Sequence, residues 1–247
     1  MQSTADIAAE ERASRLSERY AGLDGAELLL PILTREFSGR IAVVSSFGTE
    51  SAVLLSLVAE IDPAVPVLFL DTGKHFGETL RHRDDLARRL GLRDVRSIKP
   101  DVGTLSEHDA QGVLWASDPD GCCRIRKVEP LERAITGFDA WITGRKRFQG
   151  GTRADLPTVE AASGRFKINP LSTWSRARVE AELEHRGLPR HPLEADGFLS
   201  IGCMPCTERV APGADARSGR WAGLDKTECG IHLPAVARVL PAMGRSS

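Results

Sequence analysis

Ile41-Ala42-Val43-Val44-Ser45-Ser46-Phe47-Gly48-Thr49-Glu50-Ser51 is the stretch that decides the fold. Its first residues, apolar and mostly β-branched, read as a buried strand over residues 41–46 that stops at two serines. Helical period begins near Ser51, so the chain is predicted to pass from strand to helix through a tight polar loop. Hydroxyls and unpaired backbone N–H groups at a helix N-terminus make an anion site, so Ser45, Ser46, Gly48, Thr49, Glu50 and Ser51 are candidates to hold a phosphate or sulfate-like group. The loop is neither G-x-x-x-x-G-K-S/T nor G-x-G-x-x-G, and an ordinary helix-capping turn would use the same residues.

Outward from this stretch, apolar runs at residues 65–70, 95–98, 140–143 and 166–168 read as further strands. Helical period occupies residues 51–60, 75–90 and 127–136, and another helix begins near Ser175. Strand and helix in alternation predict an α/β fold with a doubly wound, mostly parallel sheet. Ligands in such sheets bind at the carboxyl ends of strands, where Leu70-Asp71-Thr72-Gly73 and Thr143-Gly144-Arg145 also fall. Arg145, Lys146, Arg147 and Arg153, spaced by Gln149, Gly150 and Gly151, follow one of those ends and could fork onto an oxyanion, although most charged loops are simply solvated.

The five cysteines are Cys122 and Cys123, adjacent; Cys203 and Cys206, in a C-x-x-C; and Cys229, alone in Lys226-Thr227-Glu228-Cys229-Gly230-Ile231-His232. An odd count in a chain with no secretion-like leader favours metal and thiol chemistry over a disulfide framework. Adjacent sulfurs suit separate corners of a cubane better than one tetrahedral ion, so a [4Fe-4S] cluster on the two pairs is favoured and zinc is the competitor. Cys229 sits in a polar segment beside cations, where a reactive thiol belongs, and Lys226 or His232 could lower its pKa.

With 33 Lys plus Arg against 34 Asp plus Glu in 247 residues, no global field points to nucleic acid or a membrane surface, and no apolar run is long enough to span a bilayer. The expected compartment is the cytoplasm. Residues 1–210 are expected to form the nucleotide-binding domain with the cysteine pairs. From Gly197 helical period fades, and residues 211–247, with a short apolar stretch at 233–240, read as a mobile arm carrying Cys229. Homo-oligomerisation is left open.

Taken in order, Cys122-Cys123-Arg124-Ile125-Arg126-Lys127-Val128-Glu129-Pro130-Leu131, the later C-x-x-C, the serine loop, Leu70-Asp71-Thr72-Gly73 and the terminal Glu228-Cys229-Gly230-Ile231-His232 resemble the assimilatory sulfonucleotide reductases, specifically the iron–sulfur type that reduces adenosine 5′-phosphosulfate. The resemblance spans about residues 40 to 232. It implies an adenine-nucleotide α-hydrolase-like fold, the serine loop receiving the phosphosulfate and Leu70 and Gly73 lying along the adenosine. It also places Arg145, Arg147, Gln149 and Arg153 along the nucleotide cleft and Lys127 between cluster and substrate. By the same resemblance Arg217 and Arg220 are expected to close over the substrate, and His232 to join the substrate-contacting set.

The implied reaction has Cys229 attack the sulfur, AMP leave and a cysteine thiosulfonate form. The other four cysteines being committed, an external dithiol, thioredoxin or glutaredoxin, must release sulfite. Rival readings are reduction of 3′-phosphoadenosine 5′-phosphosulfate, a pyrophosphate-loop tRNA thiolase, whose S-G-G-x-D-S is absent, and an iron–sulfur redox sensor.

Overall fold

The computed structural model describes residues 4–162, 164–224 and 226–232. Its strands are β1 (Ile41–Val44), β2 (Val67–Leu70), β3 (Val95–Ile98), β4 (Ala140–Ile142), β5 (Val159–Ala162) and β6 (Arg165–Ile168). They form one sheet in the order β3-β2-β1-β4-β6-β5. Every neighbouring pair is parallel except β5 and β6, which form an antiparallel hairpin at the edge.

The helices are α1 (Thr4–Arg19), α2 (Gly25–Pro31), α3 (Ser51–Ile61), α4 (Gly77–Leu90), α5 (Val102–His108), α6 (Leu114–Ser117), α7 (Pro119–Cys123), α8 (Glu129–Ala134) and α9 (Arg176–His185). Two apolar cores cover the sheet's two faces. The larger takes α1 to α4 and α9, with α3 buried along residues 52–58 because it is apolar on every side. The smaller packs Leu131 and Ile135 against Ala42, Leu68, Leu70 and Trp141. The sheet is therefore doubly wound, and β1 has β2 on one side and β4 on the other. From β1 the strand order runs outward through β2 to β3 on one side and through β4 on the other, so the loops after the parallel strands β1 and β4 diverge and open a crevice between them.

The expected strands lie in the sheet, with ends shifted by a residue or two. Three features depart from the sequence expectation. β5 was not expected; it carries Glu160 on a short edge strand. Residues 1–30, assigned no element, contain α1 and α2, and α1 lays Ala9, Ala13 and Leu16 on the core with Arg12 over the rings of Phe37 and Phe166 at 5.2 and 4.9 Å. The helix expected over 127–136 starts earlier: α7 leads through a wide turn at Arg124–Val128 into α8, placing Cys122 and Cys123 on helix.

Between α9 and residue 232 the described residues are irregular but bonded to the domain. Cys203 bridges to His75, Met204 N–H donates to the Lys74 carbonyl at 2.7 Å, and Thr207 bridges to Arg220. The apolar stretch at 233–240 lies outside the described residues. No helix among the described residues is long and apolar enough to cross a membrane.

Candidate functional site

The crevice is a cavity of about 220 Å³. Its floor is the loop after β1. Ser45 Oγ accepts the Phe47 N–H at 3.1 Å, and Phe47 takes a left-handed backbone (φ 50°) that buries its ring edge-on to Phe69 at 5.7 Å. That turn leaves Ser46, Gly48 and Thr49 lining the cavity at the start of α3. Glu50 is committed to the basic loop: its Oε2 accepts from Lys146 Nζ at 2.6 Å and from Gln149 Nε2 at 3.1 Å. Lys146 is 2 % exposed, so this pair is a buried tie between two walls.

The opposite wall is cationic. Arg145 is buried, donates from Nε to Thr143 Oγ1 at 3.2 Å, and pairs with Glu160, which also lies 3.6 Å from Lys167 Nζ. Burial lowers the Arg145 pKa from its ordinary value, while Glu160 opposes the shift. Arg153 meets Glu228 in a fork, Nε to Oε1 at 2.6 Å and a terminal nitrogen to Oε2 at 3.0 Å. Arg217 donates to the Thr227 carbonyl at 2.6 Å and reaches Glu228 at 3.5 Å. Arg220 stacks over Trp221 at 4.4 Å.

Cys229 is half-buried on the cavity wall. Gly230 follows with φ 87°, a left-handed turn that lets Ile231 pack on the smaller core and His232 enter the cavity lining. His232 Nδ1 is buried without a partner. Burial, then Arg145, Lys167, Arg153 and Arg217, push its pKa well below the usual value, so the ring is neutral and polar toward the cavity.

The other four cysteines lie behind Lys127. Asp118 caps α7 by accepting the Gly121 N–H at 2.8 Å, and a side chain at Gly121 would collide with that carboxylate, so this turn needs glycine just before Cys122. Thr72 Oγ1 lies 3.3 Å from Cys203 Sγ and accepts the Lys74 N–H, which leaves its own proton for the sulfur. Burial pushes the Cys122 thiol up to about 11 and the Cys123 thiol up to about 12. Burial also raises Cys203, but Lys127, Thr72 and Arg220 outweigh it and its pKa is lowered. Lys127 itself is held charged: burial lowers its pKa, and Cys203, Cys229 and Cys123 more than reverse that.

All five cysteines are free. Among the described residues no group of three or more His, Cys, Asp or Glu is drawn close enough to hold a single metal ion. The donor chemistry nevertheless fits a larger thiolate-held group: four uncommitted thiols, two from each side of the chain, feel one another's charge, and a resident cation, Lys127, stands beside them.

Of the residues named from sequence, Ser45, Ser46, Gly48, Thr49, Glu50, Ser51, Leu70, Lys127, Arg145, Gln149, Arg153, Arg217, Arg220, Cys229 and His232 line this cavity. Gly73 and Arg147 stand outside the lining. Gly73 turns the chain at φ 70° beside Arg126, and Arg147 donates to the Leu156 carbonyl at 2.9 Å. His75, Arg176 and Glu228 also line the cavity and were not named. His75 donates from Nε2 to the Leu70 carbonyl at 2.8 Å and keeps a buried, unpartnered Nδ1. A histidine directly after Leu70-Asp71-Thr72-Gly73-Lys74 was a readable sign, as was a carboxylate adjoining Cys229.

The model of the phosphoadenosine phosphosulfate reductase domain matches residues 40–209. The chain is 52 % identical over 230 residues to an adenosine 5′-phosphosulfate reductase of Chelativorans sp. (strain BNC1), covering 92 % of this chain and 94 % of that one. It is 42 % identical over 211 residues to a phosphoadenosine 5′-phosphosulfate reductase of Gloeobacter violaceus, covering 83 % and 88 % respectively. Among solved structures, phosphoadenylyl-sulfate reductase from Candida auris in a phosphate complex superposes with a TM-score of 0.66 at 27 % identity, over 81 % of this chain and 97 % of that one.

Proposed function

The chain belongs to the phosphoadenosine phosphosulfate reductase family, and we propose that it reduces adenosine 5′-phosphosulfate to sulfite and AMP in sulfate assimilation, with Cys229 as nucleophile. The observation that carries this reading is the position of Cys229: alone among the five cysteines it lines a cavity whose other walls are a helix N-terminus and a bank of guanidiniums.

The phosphosulfate binds at Ser45, Ser46, Gly48, Thr49 and Ser51, where free N–H groups and hydroxyls meet the N-terminus of α3. Arg145, Arg153, Arg217 and Arg220 balance its charge, and Gln149 and Leu70 border the nucleotide. The thiolate of Cys229 attacks sulfur, the S–O bond to the phosphate breaks, and AMP leaves with the electron pair. The product is a cysteine thiosulfonate. One thiolate of an external dithiol, of the thioredoxin or glutaredoxin class, attacks the Cys229 sulfur and expels sulfite. Its second thiol resolves the mixed disulfide, so the partner's two thiols supply both electrons. The segment around Cys229 acts as an arm that exposes the thiol to that partner. Free thiols and a dithiol donor suit a reducing cytoplasm.

Cys122, Cys123, Cys203 and Cys206 would hold a [4Fe-4S] cluster, which supplies charge and rigidity beside Lys127. Lys127 carries a fixed positive charge between those thiols and the cavity, where it can attract both the sulfate group and the Cys229 thiolate. The 3′-phosphorylated nucleotide is the second reading, favoured by the Gloeobacter violaceus relative's name and by Arg176 on the cavity wall.

Intact mass after anaerobic incubation with each nucleotide and no reductant tests both readings. The expected result is a sulfite-sized adduct on Cys229 with adenosine 5′-phosphosulfate, removed by thioredoxin. An adduct formed only with the 3′-phosphorylated nucleotide selects the second reading, and no adduct with either overturns both.

A further inference from the structure

The chain between Thr227 and Cys229 is held by ion pairs on both sides. Lys226 pairs with Asp120 at the start of α7, and Glu228 forks onto Arg153 while reaching Arg217. The Glu228 carboxylate is 10 % exposed, as is the Arg153 side chain, so this contact is largely sheltered from solvent. Charge inside such a site is costly unless matched, and burial, opposed by Arg153 and Arg217, leaves the Glu228 carboxyl below its usual range. The two guanidiniums also need a counter-anion, but Glu228 need not be the one that supplies it, because both line the cavity and a bound anion there can take its place.

We propose that Glu228 is an internal competitor for the anion site: its carboxylate holds Arg153 and Arg217 in the empty protein and thereby latches the Cys229 segment over the cavity until a substrate anion takes the guanidiniums. This rests on the reading of Cys229 as nucleophile and adds a positioning residue to it. A small anion weakens the latch by occupying its partners, and the returning carboxylate helps expel the AMP phosphate after the sulfur has been transferred. Lys226 with Asp120, and His232 in the cavity, keep the segment from leaving altogether. Cys229 thus loosens without being lost.

The test is the rate at which iodoacetamide alkylates Cys229, followed by peptide mass, in the wild type, Glu228→Gln and Glu228→Asp. Wild-type alkylation is expected to be slow and to quicken as inorganic sulfate is added. Glu228→Gln keeps the shape and removes the charge; it should alkylate roughly tenfold faster without sulfate and respond little to it, because a buried pair has been opened. The same variant should bind AMP several-fold more tightly in calorimetry, since the competitor is gone, and Glu228→Asp should return both readouts toward wild type. Wild-type alkylation indifferent to sulfate, or Glu228→Gln equal to wild type in alkylation rate and AMP affinity, overturns the latch. These readouts need no turnover: a latch that behaves as stated in a protein that forms no adduct with either nucleotide sinks the proposed reaction alone, and normal turnover with an unresponsive latch sinks this inference alone.

Discussion

At Gly202 a single missing methyl decides where a guanidinium rests. A Cβ there would lie 2.3 Å from a terminal nitrogen of Arg220, whereas one at Gly219 would lie 2.3 Å from the Glu208 carbonyl oxygen. The first collision is with the far end of a flexible side chain, the second with the backbone of Glu208, whose N–H donates to the Gly219 carbonyl at 2.7 Å beside the Thr207–Arg220 bridge. Gly202→Ala should therefore leave thermal stability within about 0.5 kcal/mol while displacing Arg220 and weakening AMP binding about tenfold, the value of one charge-assisted contact. Gly219→Ala should cost about 1–3 kcal/mol in denaturant unfolding, because the backbone must shift. Calorimetric AMP affinity beside urea midpoints separates the two, and equal AMP affinity in Gly202→Ala and wild type would remove Arg220 from the proposed nucleotide site. Such contacts are not readable from sequence, because the partner that makes Gly202 necessary is 18 positions away in the chain.

At the scale of elements, the tie between Lys146 and Glu50 fixes the basic loop to the N-terminus of α3. Removing Lys146 leaves a largely sheltered carboxylate beside the proposed anion site, a double fault. Lys146→Met should lower stability by about 3 kcal/mol and raise the KM for the nucleotide, whereas Glu50→Gln with Lys146→Met should recover much of the stability. Additive losses in the double variant would show that the pair does not act as a unit. The sequence did expose these elements as neighbours of one crevice, since both follow strands whose apolar runs end abruptly in polar, glycine-bearing turns. It did not expose their pairing, because Glu50 and Lys146 are distant in the chain and meet only when β1 and β4 lie side by side. β5 escaped for a related reason. Val159-Glu160-Ala161-Ala162 is a weak strand alone, and it is held by its hairpin to β6 and by α1 packed against it. α1 was equally silent, its narrow face of Ala9, Ala13 and Leu16 being too small to announce itself without the sheet.

For the whole molecule, pH stability reports how α4 is joined to the segment after α9. His191 is 1 % exposed; its Nδ1 accepts the Leu193 N–H at 3.3 Å, so the neutral ring carries its proton on Nε2, which donates to Thr79 Oγ1 at 3.0 Å. The His82 ring lies 5.0 Å away and is also buried. Protonating His191 would cost it the Leu193 bond and, once His82 is charged as well, set two cations 5.0 Å apart. Burial, then His82, lowers its pKa to about 4, and burial lowers that of His82. A histidine with a depressed folded pKa stabilises fully above its unfolded value, 6.5, and that contribution is lost as pH falls toward about 4, because the unfolded chain takes up the proton first. His75 and His232 are lowered in the same direction and add to the slope. The carboxylates with lowered pKa values, Asp24, Asp109 and Glu228 among them, have the same sign, but their losses begin near the ordinary carboxylate values of 3.8 and 4.5, at the acid edge of the histidine window. Unfolding free energies from urea titrations should therefore fall between pH 6.5 and pH 4.5 at a rate of at most about 1.4 kcal/mol per pH unit for each histidine. His191→Gln, which keeps a donor toward Thr79, should be less stable at pH 8 but flatter by nearly one proton's worth of slope across that window. An unchanged slope in the variant would mean that His191 titrates normally in the folded chain, and that the α4 junction is not where acid first opens the molecule.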